Sequence, residues 1–112
     1  EMSQSIQCVS HLKQILLGIR MYADDTDGKF PRDFLAVSNE LITPKILVCP
    51  GDTKRKQADG WPQFSAANLS YEYLTPGAKA TDVATNPVVR CPIHQHVGYG
   101  EGRVENGRSK SR

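Results

Sequence analysis

An α+β fold, in which one long helix packs on a small antiparallel sheet, is predicted by three features of this 112-residue chain. Ile6, Val9, Leu12, Leu16, Ile19 and Ala23 recur at steps of three and four, with Ile15 and Tyr22 widening the stripe, which is the period of a helix with one apolar face. Short β-branched or alternating segments then gather in the C-terminal third, separated by glycine and proline. Helical and strand patterns are segregated along the chain rather than interleaved, the mark of α+β architecture. The expected organisation is one domain over residues 1–112, with the helix in 1–25, an irregular middle containing a short helix in 26–68, the sheet in 69–106 and a tail in 107–112.

The helix of about 23 residues, Ser3 to Asp25, would be ~35 Å long at ~1.5 Å per residue, a spine for a domain of this size. Gly28 suits a left-handed residue after its end, and Pro31 forbids helix at Phe30. Arg32 to Leu41 fits two or three helical turns resting on Phe34, Leu35, Val37 and Leu41, closed by Thr43-Pro44. Ile46 to Cys49 is a short apolar run stopped by Pro50-Gly51-Asp52, and is expected as a buried strand or extended segment. Thr53 to Gly60 is polar, without period, and reads as a surface loop. Leu69 to Leu74 alternates as a strand does, Pro87 to Cys91 is a strand closed by Pro92, and Val97–Tyr99 with Arg103–Glu105 form a hairpin about Gly100-Glu101-Gly102.

A net charge of +2 gives no electrostatic case for nucleic acid as a ligand. Four basic side chains near the end, Arg103, Arg108, Lys110 and Arg112, read as a solvated tail beside Asn106-Gly107. No run reaches the ~18 apolar residues of a membrane span. The chain opens on Glu1-Met2 with the helical pattern already under way and no convincing cap, so a preceding segment is expected.

The three cysteines permit one disulfide and one spare thiol. Cys49 and Cys91 each end an apolar run and each precede proline, and a bridge between them would contribute ~3–4 kcal/mol by closing a loop of about 40 residues. Cys8 with Cys49 is another pairing, and three reduced structural cysteines a third state. Zinc is the rival: Cys91-x-x-His94 has ligand spacing, with His96, Cys49 and Asp52 available to complete a tetrahedral set. A Cys91/His94 nucleophile pair ranks last, since no orienting residue or oxyanion loop is visible and no enzyme is expected. Asp24, Asp25 and Asp27 suggest calcium, but an EF-hand register would put its first and twelfth ligand positions on Ala23 and Phe34, which cannot coordinate. Turn hydrogen bonding by the aspartates is the plainer reading.

Cys8-Val9-Ser10-His11-Leu12-Lys13-Gln14-Ile15, running on to Met21-Tyr22-Ala23-Asp24-Asp25 and Asp27-Gly28-Lys29-Phe30-Pro31, resembles the type IV pilin-like proteins of Planctomycetes and Verrucomicrobia, the prepilin-type or type II secretion pseudopilin G-like family. Asparagine is usual in that family where His11 stands. Leu47-Val48-Cys49-Pro50-Gly51-Asp52, Ser70-Tyr71-Glu72-Tyr73, Cys91-Pro92-Ile93-His94 and Tyr99-Gly100-Glu101-Gly102-Arg103-Val104 follow in the family's order. Glu101 and Arg103 replace its usual aspartate and histidine, and the calcium loop of major pseudopilins has no clean match here.

The resemblance implies a pilin-like head domain whose cleaved, methylated, hydrophobic N-terminal helix lies upstream and anchors the full-length protein in the inner membrane. It implies a periplasmic or otherwise extracytoplasmic location, other pilin or pseudopilin subunits and the secretion machinery as partners, and protein transport by filament assembly rather than catalysis. Ile6, Val9, Leu12, Leu16 and Ile19 would be its spine and Cys49–Cys91 its staple. The alternative is an extracytoplasmic binding module stabilised by zinc or calcium, through Cys91, His94 and His96 or through Asp25 and Asp27 with Asp24. On the first reading the helix's apolar face should be fully covered by the sheet only beyond about Cys8.

Overall fold

Helix α1 spans Met2–Asp25 in the computed structural model, which describes residues 2–41 and 43–107. Arg108, Lys110 and Arg112, read above as a solvated tail, lie outside the described residues. Leu12, Ile15, Leu16, Ile19 and Ala23 are buried, as the helical period requires. The first two turns depart from the expected spine and meet the expected open start only in part: Ile6 is 66% exposed and Val9 half-buried, but Ser5 and Cys8 face inward. The buried stripe is therefore Ser5, Cys8, Leu12, Ile15 and Ile19, still spaced by three and four. Polar partners in the interior rotate it there, for Ser5 bonds a buried histidine and Cys8 joins a thiol cluster, so hydrophobicity alone misplaces the face.

At its C-terminal end α1 closes in a Schellman turn, with Gly28 N–H donating to the Ala23 carbonyl at 2.8 Å. Asp27 occupies the left-handed position at φ 59°, and Gly28 follows at φ 79°. Thr26 Oγ1 donates back to the Tyr22 carbonyl. The acidic cluster thus sits in a turn that aspartate tolerates well.

The segment expected as one helix over Arg32–Leu41 is split into a 3₁₀ turn, Leu35–Val37, and one helical turn, α2, Ser38–Leu41. Ile46 to Cys49 is not a strand. Pro44–Leu47 form a 3₁₀ turn whose first NH is capped by Thr43, and only Val48 beyond it is extended. Proline at the first position pre-sets the turn, and an apolar run this short has no period to resist it.

The sheet is antiparallel in the order β1 (Glu72–Tyr73), β2 (Pro87–Arg90), β3 (Val97–Tyr99) and β4 (Val104–Glu105). Register runs Tyr73↔Val89, Val89↔Gly98 and Gly98↔Val104, and an irregularity between Pro87 and Val89 shifts the β2–β3 pairing. The expected strand over Leu69–Leu74 shrinks to two residues because Leu69 and Ser70 face the middle region, Ser70 N–H donating to the Leu47 carbonyl. Helix α1 crosses β2, β3 and β4, and Val88 and Val89 meet it in the core. Gly98 makes that approach possible: a Cβ there would stand 2.7 Å from Leu16 Cδ1 and 2.9 Å from Val89 Cγ2. No helix among the described residues is long and apolar enough to cross a membrane.

Candidate metal centre

Cys8, Cys49, Cys91 and His94 converge beneath the first turns of α1, with their ligand atoms all within 4.8 Å of one another. Each comes from a different stretch: Cys8 from the helix, Cys49 from the segment after Pro44–Leu47, Cys91 from just past β2 and His94 from the turn that follows. All three cysteines are fully buried. Cys49 Sγ lies 3.7 Å from Cys91 Sγ, and His94 Nδ1 lies 3.2 Å from Cys49 Sγ and 3.9 Å from Cys91 Sγ.

The expected Cys49–Cys91 bridge is not formed, and nor is Cys8–Cys49; all three cysteines are free. The pairing brought the right two sulfurs together, but at 3.7 Å they stand well outside the ~2.05 Å of a covalent bond. They surround a common point with two further donors instead. Zinc bond lengths of about 2.3 Å to sulfur and about 2.0–2.1 Å to nitrogen give tetrahedral S···S edges of about 3.8 Å and S···N edges of about 3.5 Å. The observed 3.7 Å matches the first, and 3.2 and 3.9 Å bracket the second. Three buried thiols and a half-buried imidazole are the donors of a structural zinc site, so the residues fit such an ion.

Local backbone geometry prepares the sulfurs for it. In each Cys-Pro turn a following backbone N–H aims at the cysteine's own sulfur, Gly51 to Cys49 at 3.4 Å and His94 to Cys91 at 3.3 Å. The Cys91 thiol is drawn down, first by the Cys8 thiol donating to it and then by the His94 and Ile93 N–H groups, against the opposing effect of burial. Cys8 is pushed up as the donor of that bond and by its own burial. Burial pushes Cys49 up to about 11, with the Gly51 N–H working the other way. Within the Cys8–Cys91 pair Cys8 donates and Cys91 accepts, and thiols that bind a metal release their protons.

A second layer of contacts fixes these ligands. Cys49 N–H donates to Ser70 Oγ at 2.9 Å, and Ser70 in turn donates to Asp52 Oδ2 at 2.7 Å. Asp52, expected among the ligands, is excluded because its other contacts are the Lys54 and Arg55 backbone N–H groups and the Arg55 guanidinium. His96 is corrected similarly. Gly107 N–H donates to its Nδ1 at 2.8 Å, so the proton sits on Nε2 and is donated to Ser5 Oγ at 2.8 Å. Both nitrogens are engaged, and the fully buried ring stacks on His94 with centroids 5.5 Å apart. Gln95 makes the reversal between the two histidines, at φ 64°. Tyr71 reaches Cys8 with its hydroxyl and meets His11 Nδ1 at 3.0 Å.

Cys8 is the candidate ligand that sequence reasoning missed. The available signal was its place three and four residues from Ser5 and Leu12, on the same face as Ile15 and Ile19. Ser5, Ser70 and Tyr71 carried no such signal, for nothing in their spacing points to a cysteine tens of residues away. Asp24, Asp25 and Asp27 are exposed, and among the described residues their carboxylates do not gather with further His, Cys, Asp or Glu ligand atoms. No family model, curated protein or solved structure matches the chain.

Proposed function

We propose that the chain is the head domain of a pilin-like subunit of a type II secretion or type IV pilus-like filament, locked by one zinc ion on Cys8, Cys49, Cys91 and His94. The four-donor cluster carries this reading, because it ties the long helix to the middle segment and the sheet at one buried point. Zinc there would supply cohesion: it would fix the charge of the sulfurs and tie three segments together at one edge of the apolar core. Cys8 holds the helix, Cys49 the segment before the surface loop, and Cys91 with His94 the end of β2. Ser70, Tyr71 and His96 orient those ligands. The pilin-like part is supported by the ordered sequence motifs together with a long helix laid across an antiparallel sheet. The subunit would act outside the cytoplasm, through contacts with copies of itself and with the secretion machinery.

Metal analysis of protein purified without added zinc should find about one equivalent, and chelation should lower the melting temperature. Cobalt substitution should give the intense thiolate charge-transfer absorption of a multi-cysteine site. Absence of bound metal and an unchanged melt in chelator would overturn the zinc assignment. For the filament role, the full-length reading frame should carry a prepilin cleavage site followed by ~20 apolar residues. A reading frame without them would defeat that role and leave the metal site standing.

A further inference from the structure

A cavity of about 560 Å³ lies between the Arg32–Leu35 segment, the Phe64–Leu69 segment and β1. Its apolar lining includes Phe34, Phe64, Leu69 and Tyr73, and the Phe34 and Tyr73 rings pack with centroids 5.3 Å apart. Leu35 stands at its edge and is 50% exposed. The cavity also touches Tyr71, Glu72 and Tyr73 in succession. Side chains of successive strand residues point to opposite faces, so a space that meets all three runs along the strand's edge.

That edge is open. Strand β1 ends the sheet, and among the described residues no strand pairs with its outer side. Leu74 N–H donates to the Val88 carbonyl at 2.7 Å and Glu72 pairs with Arg90, so the hydrogen-bonding groups of 72 and 74 face β2. By alternation the N–H and C=O of Tyr73 point outward, to the cavity. Charge at the rim is asymmetric. Glu72 is paired with Arg90 at 2.9 Å, and Asp33 caps the Ala36 N–H at 3.0 Å. Arg32 is exposed and has no ion pair among the described residues.

We propose that this groove binds an extended peptide segment as an added strand on β1, with apolar side chains at alternate positions in the groove and an acidic side chain on Arg32. Main-chain bonds to Tyr73 would set the direction, the aromatic lining would take every second side chain, and Arg32 would fix the register. An acidic side chain fits better than a chain-terminal carboxylate, which such domains capture with clustered backbone N–H groups rather than one exposed guanidinium. The proposal needs neither bound metal nor filament assembly, although Tyr71 borders both the groove and the thiol cluster.

A direct test is an amide NMR titration of the intact chain with an acetylated, amidated seven-residue peptide that alternates valine or phenylalanine with threonine and carries glutamate at its end. Saturable shifts centred on Tyr71–Leu74 and Leu35 are expected. Arg32→Glu should weaken binding about tenfold. Leu35→Asp, at a half-exposed position, should weaken it without disturbing the rest of the spectrum. The same peptide with alternate amide nitrogens methylated should not bind, since it cannot pair with a strand edge. Shifts confined to another surface, no saturable shift at millimolar peptide, equal binding of the methylated peptide, or unchanged affinity in both variants would each overturn the proposal.

Discussion

Cys8 divides two kinds of contribution that a thiol can make in this protein. As a small apolar side chain it would be replaceable by alanine or serine at the modest cost of a core trim. As a ligand it is not. Cys8→Ser is expected to reduce zinc affinity by more than the 10–100-fold typical of losing an outer-sphere partner, whereas Tyr71→Phe should fall within that range. Competition with a chromophoric chelator measures both, and equal, small losses would remove Cys8 from the coordination set. Gly51 is constrained by the same centre, since a Cβ there would lie 3.0 Å from His94 Cε1. Gly51→Ala must therefore move the imidazole or the Cys49 turn, and should weaken metal binding with little change in helix content.

His11 supplies a pH test at residue scale. Burial lowers its affinity for a proton below the ordinary value of 6.5, so the native state binds fewer protons there than the unfolded chain. Stability from this group is present above that unfolded value and is lost as pH falls through the lower, folded one. His11→Gln should flatten the difference between denaturation midpoints at neutral and mildly acid pH. An identical pH dependence in the variant would show that the histidine is not the titrating group.

At the scale of elements, the packing of α1 on the sheet depends on a missing side chain. Gly98→Ala places a methyl inside the contact of Leu16 with Val89, and overpacking of this kind costs typically about 1–3 kcal/mol. Urea unfolding should show that loss, and a smaller one when Leu16 is first cut to alanine, because the closest atom is then gone. The helix itself was plain in the sequence, since twenty-odd residues of sustained period leave few alternatives. Its exact face was not. Hydropathy favours Ile6 and Val9 over Ser5 and Cys8, and only the buried His96 and the other sulfurs reverse that preference. The expected strand at Ile46–Cys49 failed differently, because four apolar residues cannot distinguish a strand from a 3₁₀ turn once Pro44 and a Thr43 cap favour the turn.

For the whole molecule, the candidate ligand pair Cys91-x-x-His94 was legible because both donors sit on one turn. The complete set was not, since closing it requires knowing that the first helix passes over the end of β2. Loss of the metal should accordingly be felt furthest from the sheet's centre. Hydrogen exchange of the chelated protein is expected to accelerate in the first turns of α1, around Ser5 to His11, before the Leu16–Ile19 region that Val89 and Gly98 support. Uniform acceleration along the helix would mean that the ion stabilises the domain globally rather than clamping one end.

The contact of Ser5 and Gly107 with opposite nitrogens of one imidazole has a mechanical side. A pull applied between these two points would enter the molecule at a single ring, and would peel the first helical turn from the final segment rather than shear the strands past one another. Hydrogen bonds loaded one after another yield at low force. With the proposed zinc bound, sulfur–metal bonds at Cys8 and Cys91 would then be the first strong stop. In a single-molecule extension experiment between these positions, the metal-bound chain should give a short early lengthening followed by a high-force rupture, and chelation should abolish the second event while preserving the first.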